Sequence, residues 1–237
     1  MTGQRKRVAI LISGRGTNMA RLIEASADSS YPAEIVAVIS DVAEAPGLVF
    51  AAGKGIATAS IPRSGYSSKE AHDAAIDANL HDIGAEIVCL AGYMRLLTVR
   101  FVEAWEGRLI NIHPALLPSF KGLDTHRRVL EAGVRIHGCT VHFVTAEMDG
   151  GPIIAQAAVP VLTGDTESDL AARVLKAEHE LYPLALKLVA EGKVAMADGR
   201  TVFTNFNEGA RDGSARLFSP ASWGEDLDLE ALARFTP

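Results

Sequence analysis

Cysteine is nearly missing from this sequence: two in 237 residues, Cys89 and Cys139, each inside an apolar, strand-like run. A disulfide framework or a thiolate metal site needs clustered or regularly spaced cysteines, so these two read as reduced and buried. Long apolar runs are missing too. No stretch approaches the roughly 18 residues of a membrane-crossing helix, and the first residues lack the apolar core of a signal peptide. Nor is there a basic block, since 29 acidic residues outnumber 23 Lys and Arg for a net charge of −6. That balance argues against nucleic acid as a partner. Repeats and low-complexity segments are absent as well. Charged residues at 22% and apolar residues at 48% exclude the disordered class for most of the length and supply a sizeable core. The expectation is a cytoplasmic chain with no membrane and no nucleic-acid partner.

Several catalytic signatures are also wanting. There is no HExxH, no paired CxxC and no acidic cluster with ligand spacing. His137 and His142 lie five apart on a strand, and His72 and His81 nine apart on a helix, neither a chelating spacing. No metal is expected. There is no GxSxG elbow, and neither cysteine has an activating context. A nucleophile supplied by the protein is therefore not in view.

What is present is an alternation of short apolar runs and helical stretches. Arg7–Ser13, Ala33–Ser40, Ile56–Ile61, Ala85–Ala91 and Leu109–His113 read as buried strands. Helices are expected over Met19–Ala27, Pro46–Lys54, Ser67–Ile83 and Val99–Trp105, with Ser67 and Glu70 at capping-box spacing. The pattern implies an α/β, doubly wound, mostly parallel sheet with right-handed crossovers. Beyond Pro118 the grain changes. Ser119–Asp124 is a polar, glycine-bearing loop suited to a mobile lid, followed by a short helix over Thr125–Ala132. Val134–Val144 and Pro152–Val161 form an antiparallel carboxyl-terminal strand pair. Thr166–Asp169 caps a helix reaching Ala190, with Pro183 a kink or break. Lys193–Phe203 reads as a hairpin turning at Asp198-Gly199. The sequence divides into a single domain over 7–204, with 1–6 and 205–237 as flexible or surface-wrapping termini.

Three places carry candidate chemistry. Gly14-Arg15-Gly16-Thr17-Asn18 joins a strand to a helix, an arrangement that aims backbone N–H groups at an anion. Met19 stands where a dinucleotide fingerprint needs a third glycine, so the choice lies between a single-phosphate site and a tight turn. Gly92-Tyr93-Met94-Arg95-Leu96-Leu97 reads, on spacing alone, as apolar packing under a loop. Asn111 and His113, two apart on a strand, point the same way at its carboxyl end, where open α/β sheets place ligands. A neutral amide donor and a protonated imidazole are suited to an oxyanion, and a carboxylate such as Asp149 would keep the imidazole charged. The alternative is that Asn111 and His113 merely end a strand and Asp149 makes a turn.

Ser13–Asn18, Asn111–Pro118, Gly122–His126, His137–His142 and Met148–Pro152 occur in that order, and over about residues 7–195 the sequence resembles the folate-dependent phosphoribosylglycinamide formyltransferase family. The resemblance implies a Rossmann-like formyltransferase fold with a ribonucleotide-binding amino-terminal half and a folate-binding, catalytic carboxyl-terminal half. It implies transfer of a formyl group from 10-formyltetrahydrofolate to the amino group of 5′-phosphoribosylglycinamide (GAR), in purine biosynthesis, with no metal. Asn111, His113 and Asp149 match the family's catalytic residues. Gly16, Thr17 and Asn18, with Leu175, Lys176, Ala177 and Glu178, match its GAR contacts, Glu178 being the partner of the sugar or amine. Lys69, Met94, Arg95, Leu96, Leu97, Asn111 and Thr145, Ala146, Glu147, Met148 and Asp149 match its folate pocket. That overturns a purely packing role for the Met94 loop. Lys69 falls where relatives often carry Arg. The resemblance also implies a cis bond between Leu117 and Pro118. Monomer and homodimer both remain open.

Two relatives of the same superfamily are weighed against this. A formyltetrahydrofolate hydrolase would carry an amino-terminal regulatory domain, whereas the first strand here starts at Arg7. A methionyl-tRNA formyltransferase would need a carboxyl-terminal RNA-binding domain, for which the acidic segment after Val194 is too short. A non-catalytic nucleotide-binding module would leave Asn111, His113 and Asp149 without work.

Overall fold

The computed structural model describes residues 4–204, so the expectations for 1–3 and 205–237 lie outside the described residues. Seven strands form one sheet in the order β3-β2-β1-β4-β5-β6-β7. They are β1 (Lys6–Ile12), β2 (Ala33–Ser40), β3 (Ala57–Ser60), β4 (Ile87–Leu90), β5 (Leu109–His113), β6 (Ile136–Phe143) and β7 (Ile153–Pro160). The first five in sheet order are parallel, and β6 runs antiparallel to both of its neighbours, β5 and β7. This is the expected mostly parallel sheet with its antiparallel end.

Strand β1 is central and covered on both sides. Val8, Ile10 and Ile12 enter the core that includes α1 (Thr17–Ser26) and α6 (Glu167–Ala190). Ala9 and Leu11, pointing the other way, enter the core beneath α3 (Lys69–Asp82) and α4 (Val99–Ala104). All five are fully buried, each of the larger ones contributing about 1.5–3 kcal/mol. The chain leaves β1 toward β2 on one side and meets β4 on the other. The sheet order therefore reverses between β1 and β4, opening a crevice at their carboxyl ends.

Helix boundaries differ from expectation in three places. Helix α1 begins at Thr17 rather than Met19, because Gly16 takes the left-handed conformation at its N-cap (φ 68°, ψ 42°) and the turn is complete sooner. The cap of α3 is Ser68, whose hydroxyl accepts the Ala71 N–H at 3.1 Å, and not Ser67. Helix α6 runs through Pro183 without a break. Leu181, Tyr182, Ala185 and Leu186 around it are buried in the main core, and that packing outweighs the one missing N–H. Its amino end carries a complete capping box between Thr166 and Asp169. The remaining helices are α2 (Pro46–Gly53), with Pro46 in its first turn as expected, and α5 (Thr125–Ala132).

Strands β8 (Val194–Ala197) and β9 (Arg200–Phe203) make a separate two-stranded sheet. Asp198 and Gly199 between them both have positive φ (49° and 69°), which is the hairpin geometry their Asp-Gly pair predicts. Thr201 Oγ1 donates to the Ile153 carbonyl at 2.6 Å and fastens the hairpin to β7. The peptide bond between Leu117 and Pro118 is cis. No helix among the described residues is long and apolar enough to cross a membrane.

Candidate active site

Strand β5 delivers Asn111 and His113 to the carboxyl edge of the sheet, and the antiparallel pairing with β6 sets what faces them. Asn111 stands opposite His142 in that register, and His113 opposite Thr140. Beyond His113 the chain is pinned rather than loose. The Thr140 hydroxyl donates to the Ala115 carbonyl (2.6 Å) and accepts the Leu117 N–H (3.0 Å), while Gln156 Nε2 donates to the Leu117 carbonyl (2.9 Å).

His113 is buried and each of its ring nitrogens meets an acceptor. Nδ1 lies 3.5 Å from Asp149 Oδ2, and Nε2 lies 3.0 Å from the Phe120 carbonyl. The ring therefore stands between the Asp149 carboxylate and a backbone carbonyl to which Nε2 can donate. Asp149 also accepts the Gly122 N–H at 2.8 Å, and its backbone is held at φ 49°, a strained conformation for a residue with a side chain. The lid expected over 119–124 thus lies on the site, with Phe120 covering His113 and Gly122 covering Asp149.

His142 is a residue that spacing failed to single out. Its Nδ1 donates to the Phe143 carbonyl at 2.9 Å, which leaves Nε2 as an acceptor for Asn111 Nδ2 at 3.2 Å. Burial pushes its titration down and so keeps it neutral. Asn111 is thereby fixed as a donor with one amide hydrogen still free. His142 Nε2 also stands 3.8 Å from Asp149 Oδ1, so the four side chains form one cluster. The signal lay in strand pairing, which a single sequence does not display.

The second group assembles where α1 meets α6. Asn18 Nδ2 donates to Glu178 Oε2 at 2.7 Å, joining two sequence-predicted residues 160 apart. Both are buried, and burial pushes the Glu178 carboxyl upward. Asn18 Oδ1 is buried without a hydrogen-bond partner. Helix α1 has neither a side-chain cap nor an acidic residue in its first turn, so its leading N–H groups remain available to an anion. Thr17 is half-buried beside Gly16, Leu175 and Ala177 are half-buried on α6, and Lys176 is exposed there.

The third group lies on two loops. Met94 and Leu96 are 68% and 66% exposed, and Met148 on the 145–149 turn is 52% exposed. Bare apolar side chains flanking polar backbone are what a planar heterocycle would cover. Leu97 packs instead against the second core, so part of the packing expectation for this loop holds. Arg95 Nε donates to Asp41 Oδ2 at 2.6 Å. Thr145 is half-buried and Ala146 and Glu147 are exposed, Glu147 pairing with Lys121 on the lid at 2.7 Å. Lys69 is half-buried as the first residue of α3. A cleft of about 450 Å³ opens beside Asp149, lined by Pro118, Lys121, Gly150 and the tip of the β8–β9 hairpin. Among the described residues no group of three or more His, Cys, Asp or Glu is placed to hold a metal ion.

Comparison with known proteins gives a consistent picture. The formyl transferase family model matches residues 6–186. The phosphoribosylglycinamide formyltransferase of Escherichia coli (strain K12) is 45% identical over 189 residues, covering 80% of this chain and 89% of that one. The trifunctional purine biosynthetic protein adenosine-3 of Gallus gallus is 50% identical over 192 residues, 81% of this chain. This chain spans only 19% of that larger protein's length. Among solved structures, a phosphoribosylglycinamide formyltransferase from Brucella melitensis is 59% identical with a TM-score of 0.77, over 82% of this chain and 100% of that one.

Proposed function

The chain belongs to the formyl transferase family, in its phosphoribosylglycinamide formyltransferase branch, and on that premise we propose that it transfers a formyl group from 10-formyltetrahydrofolate to the amino group of GAR. The observation that carries the proposal is the cluster at the end of β5, where an imidazole and an oriented amide donor stand together beside a carboxylate. The anion-ready start of α1 supports a phosphorylated acceptor, and the exposed apolar loops support the pteridine.

The chemistry is acyl transfer between two substrates. The amine attacks the formyl carbon, the carbonyl pair moves onto oxygen, and the bond to the folate nitrogen breaks as that pair returns. The amine's proton ends on the departing nitrogen. Asn111 Nδ2 and His113 Nε2 receive the oxyanion. His113 can do so only by releasing the Phe120 carbonyl, so the lid must yield before the reaction proceeds. Asp149 keeps the imidazole charged and passes the amine's proton through water. Gly16, Thr17 and Asn18 hold the phosphate while Glu178 holds the sugar or amine. Lys69 and residues 94–97 and 145–149 hold the folate. No protein nucleophile takes part.

The test is to incubate the protein with 10-formyltetrahydrofolate with and without GAR, following tetrahydrofolate release. Release that depends on GAR is expected. Release independent of GAR would make the protein a hydrolase, and no release would reduce it to a binding module.

Glu178 yields a narrower expectation. Glu178→Gln keeps the shape and removes the charge, and hydrogen bonds to charged groups are worth about 1.5–3 kcal/mol, so KM for GAR should rise about tenfold or more. KM for 10-formyltetrahydrofolate should stay unchanged in the same steady-state assay. A rise confined to the folate would remove Glu178 from the ribonucleotide site.

A further inference from the structure

We propose that Asp41 is a positioning residue that couples the two substrate subsites, so that filling the phosphate loop strengthens folate binding and the reverse. The coupling presupposes the assignment above of residues 16–18 to GAR and of residues 94–97 to folate.

The crevice between β1 and β4 is bridged by a chain of hydrogen bonds. Ser13, which directly precedes the Gly14–Asn18 loop, donates its N–H to the Gly92 carbonyl at 3.1 Å. Its hydroxyl accepts the Met94 N–H at 2.9 Å and donates to Asp41 Oδ1 at 2.5 Å. The other oxygen of Asp41 takes Arg95 Nε at 2.6 Å. Asp41, immediately after β2, therefore holds the root of the phosphate loop with one oxygen and the folate loop with the other. Nothing in the proposed chemistry uses it.

Two physical effects follow from that position. The first is electrostatic. The Asp41 side chain is 4% exposed, and a buried carboxylate near the phosphate loop opposes phosphate binding unless it is neutralised. Its neutralising partner, Arg95, belongs to the folate loop and is 47% exposed, so Arg95 is free to be drawn in further or pulled away by what binds there. The second is order. The Met94 and Leu96 side chains have little packing, so the 92–97 loop is held chiefly by its bonds at Gly92, Met94 and Arg95 and by Leu97. A phosphate that fixes Ser13 fixes Met94 directly and Arg95 through Asp41, and the second ligand then meets a loop already ordered. Coupling between binding sites is reciprocal, so either ligand produces it.

Tetrahydrofolate, which carries no formyl group, allows both sites to be filled without reaction. Its Kd by isothermal titration should fall about fivefold or more when GAR is saturating, the lower end of ordinary coupling between sites. In Asp41→Asn, where an amide faces Arg95, and in Ser13→Ala, where the bridge is cut, the ratio should fall toward one. Each ligand should still bind alone. Amide exchange over residues 92–97 should slow on adding GAR to the wild-type protein and not to Asp41→Asn, a readout that loss of stability would not mimic. A wild-type ratio of one with both ligands bound would overturn the coupling alone. An unchanged ratio in both variants would overturn the role of Asp41. Failure of either ligand to bind wild-type protein would overturn the subsite assignment and the coupling together.

Discussion

Asp149→Asn lowers kcat by about a thousandfold, within the range of roughly 10²–10⁴ that a positioned acid–base group supplies, while the affinity for GAR stays close to wild type. The substitution is nearly isosteric and can keep the hydrogen bond from Gly122, so the lid and the turn should hold. What changes is the charge opposite His113 Nδ1. An amide oxygen can still accept a hydrogen bond there, but it supplies no negative charge beside the donor ring and no group to take up the amine's proton. Steady-state rates across pH, with GAR binding measured separately by titration, check both parts. Wild-type turnover in the variant between pH 6 and 8 would remove the carboxylate from the mechanism.

Part of this fold and of this site was legible in the sequence and part was not. The parallel strands were, because a strand covered on both faces must be apolar where it is covered, as β4 is throughout and β1 is from Val8 onward. Asn111 and His113 were, because period-2 alternation gives their common direction without knowing any partner. The Asp-Gly hairpin was legible because only that backbone geometry suits those two residues at the turn. His142 was not, since its relation to Asn111 exists only through the β5–β6 register. Asp41 was not, since its meaning comes from Ser13 and Arg95, 28 and 54 residues away. Pro183 misled because its local cost was visible and the packing that overrides it was tertiary. Helix starts slipped by one or two residues where neighbouring serines or a left-handed glycine offered alternative caps.

Asn111 and His142 give the second large effect, and together they test whether the cluster works as a unit. Asn111→Ala deletes one of two oxyanion donors, and losing one such donor costs about 10²–10³ in kcat. His142→Ala touches no substrate in the proposed mechanism. It releases the Asn111 amide to rotate and should cost about tenfold, equivalent to roughly 1.4 kcal/mol and ordinary for coupled neighbours. The decisive measurement is the double variant. If His142 acts by orienting Asn111, then once Asn111 is alanine there is nothing left to orient. The double variant should match Asn111→Ala alone, and independent effects would instead multiply to about 10³–10⁴. Thermal melts guard against misreading, because His142 is buried and its removal leaves a cavity that lowers stability without entering kcat. The competing route runs through Asp149, whose Oδ1 lies 3.8 Å from His142 Nε2. A multiplying double variant would mean that His142 serves that carboxylate rather than the amide. The neutral state of His142 speaks for the amide, since an uncharged ring with its lone pair at Nε2 accepts from Asn111 and has nothing to offer an anion.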